Sequence, residues 1–168
     1  AGNTVITIGR QFGSGGRYVG RLLAEKLGIP FYDKELLSEA ARYSGICEEI
    51  FEDHDEKPTR SLLFSLVTGM QMHGDAGSIY MDMPLNHKIF LAQFDAIRRL
   101  ADEQSCVIVG RCGDYVLRDH PNAVSVFVKA GLEEKVERAV KYYGVDPLKA
   151  EDVIRKADRQ RASYYNYF

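Results

Sequence analysis

The sequence predicts an α/β fold: three layers, with a parallel sheet covered by helices on both faces. Three observations carry that expectation. Short β-branched or continuous apolar runs occur at Val5–Ile8, Cys106–Gly110 and Ala123–Val128, as in strands buried on both faces. Segments with apolar residues at helical spacing lie between them. Strands alternating with helices favour parallel pairing through right-handed crossovers. Val5–Ile8 is expected in the centre, flanked by the other two runs. The 168 residues suit one domain, residues 1–168.

Taken in order, Val5-Ile6-Thr7-Ile8 is the first strand and Gly9 ends it. Gly13, Ser14, Gly15 and Gly16 follow. Tyr18, Val19, Leu22, Leu23 and Leu27 then mark a helix that Gly28 caps. Ile29–Tyr32 reads as a second strand, ending at Asp33. Leu36, Leu37, Ala40 and Ala41 share one side of a helix over 34–43. Residues 44–88 form an insert of helices and mobile connections, acidic from Glu48 to Glu56 and interrupted by Gly69, Gly74 and Gly77. Ile89–Glu103 is a helix before the Cys106 strand. After the Ala123 strand comes a helix over Leu132–Tyr142. Pro147 fits the N-terminus of a last helix carrying Val153, Ile154 and Ala157.

Composition narrows the function. With 45% hydrophobic and 27% charged residues, the chain is neither disordered nor collagen-like. A net charge of −2 offers no broad basic field for nucleic acid. No apolar run approaches the roughly 20 residues of a membrane span, and no signal peptide precedes the first strand. Three cysteines, Cys47, Cys106 and Cys112, give neither a disulfide framework nor a zinc spacing, so free thiols in the cytoplasm are expected.

The glycine loop carries the chemistry. It reads Gly9-Arg10-Gln11-Phe12-Gly13-Ser14-Gly15-Gly16-Arg17-Tyr18. A glycine turn between strand and helix directs backbone N–H groups at an anion, and the helix N-terminus adds partial positive charge. The pattern G-x-x-x-x-G-K-[ST] is not met. In one register Gly16 takes the lysine position; in the other the spacer is too long and Tyr18 replaces the hydroxyl residue. Arg10 and Arg17 are the cations that could replace the lysine. Ser14 could donate to phosphate or help hold Mg2+. A turn that only connects strand and helix is the competing reading.

Further along, Arg111 leaves a strand at its carboxyl end, where parallel sheets place ligands. Arg155, Lys156, Arg159 and Arg161 lie close together, opposed only by Asp158. Arg155 and Arg159 are i,i+4 and repel without an anion. Arg138 has Glu134 four residues before it, the spacing of an ordinary helix ion pair. Asp33 fits the N-cap of a helix starting at Lys34. Cys112 reads as a buried thiol, and Tyr164, Tyr165, Tyr167 and Phe168 stack on a base or pack on the core.

Several of these segments, in this order, resemble the bacterial cytidylate kinases, in particular their divergent branch. Gly110-Arg111, Phe127-Val128-Lys129-Ala130, Glu133-Glu134 with Arg138, Asp158-Arg159-Gln160-Arg161 and Phe31-Tyr32-Asp33 match Gly-Arg-Asp, Phe-Leu-x-Ala, Glu-Glu-Arg-x-x-Arg, the lid motif Asp-x-x-Arg and an acceptor-side aspartate. The resemblance implies a P-loop nucleotide kinase architecture, with residues 44–88 as acceptor-side insert and 145–163 as lid. It implies ATP as phosphate donor, Mg2+ as cofactor and a nucleoside monophosphate acceptor, CMP first. Another small-metabolite kinase, or an inactive nucleotide-binding regulatory module, is the alternative. Residues 9, 10 and 13–18 would form the phosphate loop. Arg17, Arg159 and Arg161 would be catalytic. Asp33, Arg111, Arg138 and Asp158 would bind substrate, with Asp158 able to orient Arg161. The loop lysine is missing and Cys112 stands where relatives have aspartate. Relatives continue past the lid into a fifth strand, which is expected to be absent from this chain.

Overall fold

A computed structural model describes residues 2–33 and 85–167. Four parallel strands form one sheet: β1 (Val5–Arg10), β2 (Phe31–Tyr32), β3 (Cys106–Val109) and β4 (Ala123–Val128), in the order β2-β3-β1-β4. The expected α/β class and the central place of the first strand are both observed. Val5 is in register with Cys106 on one side and Ala123 on the other.

The two faces of the sheet follow from the period of two along each strand. Val5, Cys106 and Ile108 pack under α2 (Leu85–Glu103), through Ala92, Ala96, Ile97 and Leu100, and under the short α3 (Gly113–Val116). Ile8, Val107 and Val109 face α1 (Gly16–Leu27) at Ala24. Gly28 ends α1 in the left-handed region, as its position after the last apolar residue predicts. Beyond β4, α4 (Leu132–Tyr143) packs on α5 (Ala150–Tyr167), with Ala139 and Ile154 fully buried.

Several boundaries differ from expectation. β1 runs two residues further, because Gly9 and Arg10 continue the ladder opposite Phe127 and Val128. β2 is only Phe31–Tyr32. α2 begins at Leu85, inside the span assigned to the insert. The rest of that insert, and the helix over 34–43, lie outside the described residues. α3 arises where the sequence shows only a short connection. Pro147 does not begin α5. It sits in a turn closed by Lys149 N–H to the Asp146 carbonyl at 2.9 Å, while Asp146 Oδ1 accepts the Leu148 N–H at 3.0 Å; the helix starts at Ala150.

The largest correction concerns β4. Its apolar run suggested burial on both faces, as in β3, whose four residues are indeed buried. Among the described residues β4 is instead a sheet edge, with Phe127 59% exposed and Val124 and Val126 also exposed. A largely apolar run, here broken only by Ser125, describes the strand and not what lies beside it.

Candidate functional site

The loop after β1 is fixed by bonds of its own and by contacts from β4, α4 and α5. The Gln11 N–H donates to the Val128 carbonyl at 3.1 Å, extending the sheet by one bond. Ser14 Oγ donates to the Gln11 carbonyl at 2.8 Å and lies 3.4 Å from the Gly16 N–H. Gly13 has φ +72°, and a Cβ there would stand 2.8 Å from the Lys135 carbonyl oxygen. Glycine is therefore required both for the left-handed turn and for the close approach of α4. Gly15, φ +82°, precedes α1, and its carbonyl accepts the Val19 N–H at 2.9 Å. The Gly13 and Gly15 N–H groups take no partner among the described residues. Free donors next to a helix N-terminus suit an anion.

The loop's arginines divide. Arg17 forms an ion pair with Asp33, Nε to Oδ2 at 2.6 Å, without a directed N–H bond. That contact joins the first turn of α1 to the end of β2. Arg10 reaches the other way. Its stem lies over Gly16, and its guanidinium lies over Gly110 so closely that a Cβ there would be 2.5 Å from Nη1. Arg10 thus bridges the carboxyl ends of β1 and β3. Arg138 points at the loop from α4, Nη1 donating to the Ser14 carbonyl at 3.2 Å. It does not use Glu134, whose carboxylate reaches back to the Gly131 N–H at 3.0 Å and caps α4.

Two loop residues had no role assigned from sequence, nor did Lys135. Asp158 of α5 accepts the Phe12 N–H through Oδ1 at 2.6 Å, and its Oδ2 lies 2.8 Å from Lys135 Nζ. Lys135 is 7% exposed, and its ammonium also lies 3.4 Å from Gln11 Oε1. Asp158 therefore pairs across helices and not with Arg161. The Arg161 guanidinium sits 5.6 Å above the Phe12 ring, which also meets Tyr143 at 5.3 Å. Arg159 faces away, with Nε on the Arg155 carbonyl at 3.2 Å. Arg155 is paired with Glu151 at 2.6 Å. A signal for Lys135 was present: it occupies the basic position after Glu133-Glu134.

A cavity of about 390 Å³ opens beside the loop at the carboxyl ends of β1 and β3. Arg10, Arg111 and Arg161 line it, against Asp114 and Asp158. Thr7 Oγ1 donates to Ser125 Oγ at 2.9 Å on the same wall. The volume suits a small metabolite. Tyr164 and Tyr165 of α5 close one side, Tyr165 donating its hydroxyl to Asp114 Oδ2 at 2.5 Å. That bond to a carboxylate pushes the Tyr165 phenol up to about 12. Cys112 is buried, and desolvation, reinforced by Asp114, raises its thiol to about 12 despite Arg111 nearby. It is not poised as a nucleophile.

For magnesium, the donor set is thin. Ser14 Oγ already donates within the loop and has a remaining lone pair, and no group of three His, Cys, Asp or Glu able to hold a metal occurs among the described residues. Ser14 could offer a bound magnesium one oxygen, the others commonly coming from a nucleotide's phosphates and water. No described helix is long and apolar enough to cross a membrane.

Comparison with curated proteins gives no match. Among solved structures, an uncharacterized protein from Eubacterium ventriosum is similar, at 32% identity and a TM-score of 0.68 over 99% of this chain and 78% of that one. A shikimate kinase from Acinetobacter baumannii matches at 15% identity and a TM-score of 0.48, covering 99% of this chain and 79% of that one. A model of the cytidylate kinase-like family matches residues 5–168. That match supports a small-molecule kinase using a nucleotide as phosphate donor. With its central β1, glycine loop and arginine-lined cavity, the chain belongs to the cytidylate kinase-like family.

Proposed function

We propose that the protein transfers the terminal phosphate of ATP to a nucleoside monophosphate, with CMP the first candidate. The observation that carries this reading is the cavity beside the glycine loop, where Gly9, Arg10 and Gln11 at the start of the loop meet Arg111 and Arg161. Phosphoryl transfer needs positioning and charge stabilisation more than covalent chemistry. In this reading the donor phosphates lie along residues 9–18, and Arg138 steadies the loop from behind. The acceptor enters the cavity, where Arg111 offers a planar fork to its phosphate. Arg161 stands between loop and cavity, placed for charge that develops during transfer. Magnesium, bound with ATP, would neutralise donor charge.

The pairing of Arg17 with Asp33 gives these two a shared part, orienting the acceptor side of α1. Arg159, directed along its own helix, would need α5 to move before touching a phosphate. The absent loop lysine favours the second reading, a nucleotide-binding module without turnover. Steady-state assay of a monophosphate panel with ATP and Mg2+ separates the two. Turnover fastest with CMP is expected. ATP binding with no turnover on any acceptor would favour the module.

A further inference from the structure

Asp158 is a carboxylate seated in a loop built for a different anion. Its two oxygens hold the Phe12 N–H of the loop and the Lys135 ammonium of α4 at 2.6 and 2.8 Å. Lys135 is nearly buried, and its backbone is packed on Gly13 so tightly that no side chain fits between. A lysine so placed cannot move far from the loop, yet its ammonium ends in the same cluster as the Gln11 side chain and the Phe12 N–H. The loop itself contains no lysine.

We propose that Asp158 is a built-in stand-in for phosphate, and that Lys135 is the phosphate-binding lysine of this chain, supplied from α4 in place of the loop. The inference rests on the phosphate-loop reading above. A polyphosphate entering the loop takes over the Phe12 N–H and the Lys135 ammonium, and the Asp158 carboxylate leaves for solvent. The buried Lys135 ammonium keeps an anionic partner throughout, since a phosphate oxygen takes the place the carboxylate leaves. A buried lysine left without an anion is costly, so the exchange is concerted with binding. Because Asp158 lies on α5, its release also frees the helix that carries Arg159 and Arg161. Phosphate arrival and arginine repositioning are thereby one event. The linkage is reciprocal: whatever holds Asp158 in the loop weakens phosphate binding by the same factor.

The test is calorimetric titration of the full chain with inorganic tripolyphosphate and with Mg·ATP, with a thermal midpoint for each variant. Asp158→Asn keeps an acceptor for Phe12 but removes the competing charge, and is expected to tighten tripolyphosphate about threefold or more. Lys135→Met is expected to weaken it about tenfold or more, and Lys135→Arg to restore most of the loss. The double variant Lys135→Met with Asp158→Asn leaves no buried unpaired charge. It should fold even if Lys135→Met alone does not, and should bind as weakly. A merely structural ion pair would lower the midpoint in the single variants and leave tripolyphosphate affinity unchanged; that overturns the proposal. Weaker binding by Asp158→Asn would overturn it too, because the carboxylate would then belong to the bound state. Failure of the unaltered chain to bind either probe would instead remove the phosphate-loop reading beneath it.

Discussion

Gly110, Arg111 and Cys112 leave β3 with three successive positive φ angles, 80°, 58° and 53°. Only the first is a glycine, and the left-handed region costs other residues about 1–2 kcal/mol each. The turn holds because α3 starts at once, its first bonds closing from Gly113 N–H to the Gly110 carbonyl at 3.1 Å and from Val116 N–H to that of Cys112 at 2.9 Å. Two replacements that both remove the Arg111 guanidinium should therefore differ in stability. Arg111→Gly is expected to denature at a higher urea midpoint than Arg111→Ala, by about 1 kcal/mol, with acceptor turnover lost equally in both. Equal midpoints would mean that the turn relaxes once the side chain is gone. The place of Arg111 at a strand end was legible in the sequence; its backbone angle was not, since a non-glycine residue takes φ > 0 only when its surroundings impose it. The cysteines beside it give a second prediction. Burial raises Cys106 to about 11 and Cys112 to about 12, from 9. A thiol at about 12 is on the order of one part in ten thousand thiolate at pH 8. Peptide-resolved iodoacetamide labelling at pH 8 should modify both far more slowly in the native chain than in urea. Because the folded values are raised, the stability these thiols contribute is present below pH 9. It is lost as pH climbs through the folded values, so the urea midpoint should fall over that range.

Helix α5 shows what element-level reading gives and withholds. The crowd of cations from Arg155 to Arg161 was visible, and so was the mild repulsion expected between Arg155 and Arg159. Glu151 relieves it at 2.6 Å, a one-turn pairing that the sequence also contained. Less legible was the partner of Asp158. Within the helix Arg161 is the near neighbour at i,i+3, yet the carboxylate goes to Lys135 and to a loop N–H. Tertiary partners that are themselves buried outcompete exposed ones on the same helix, because they have no water to return to. Arg161, half-buried, is then left to the half-buried Phe12 ring, a contact worth on the order of 1 kcal/mol. Arg161→Ala is accordingly expected to lower kcat about tenfold or more. Its urea midpoint should shift by less than about 1 kcal/mol. Unchanged kcat would take Arg161 out of the mechanism, and a much larger loss of stability would make its packing on Phe12 its main purpose.

On the scale of the molecule, the sheet was the most legible feature, because its strands carry their own apolar signal and parallel order follows from the helices between them. What escaped the sequence are contacts that join distant segments: Gly13 on the Lys135 backbone, Arg10 over Gly110, and Tyr165 on Asp114. Each depends on where a neighbour stands in space, and local spacing holds no record of that. The position of β1 between β3 and β4 has one more consequence, for how the protein comes into being. Val5 is made before its partners Cys106 and Ala123, which follow about a hundred residues later. At about 5–20 residues per second of synthesis, the opening strand waits on the order of ten seconds before either neighbour exists. Pairings so remote along the chain also fold slowly once it is complete. During that wait Val5, Ile6 and Ile8 are exposed to the cell, and the glycine loop has no shape, because the strands and helix that mould it are not yet made. Of the three strands β1, β3 and β4, the one made earliest is thus completed only when the others arrive, and that wait is the interval in which chaperones have most to protect.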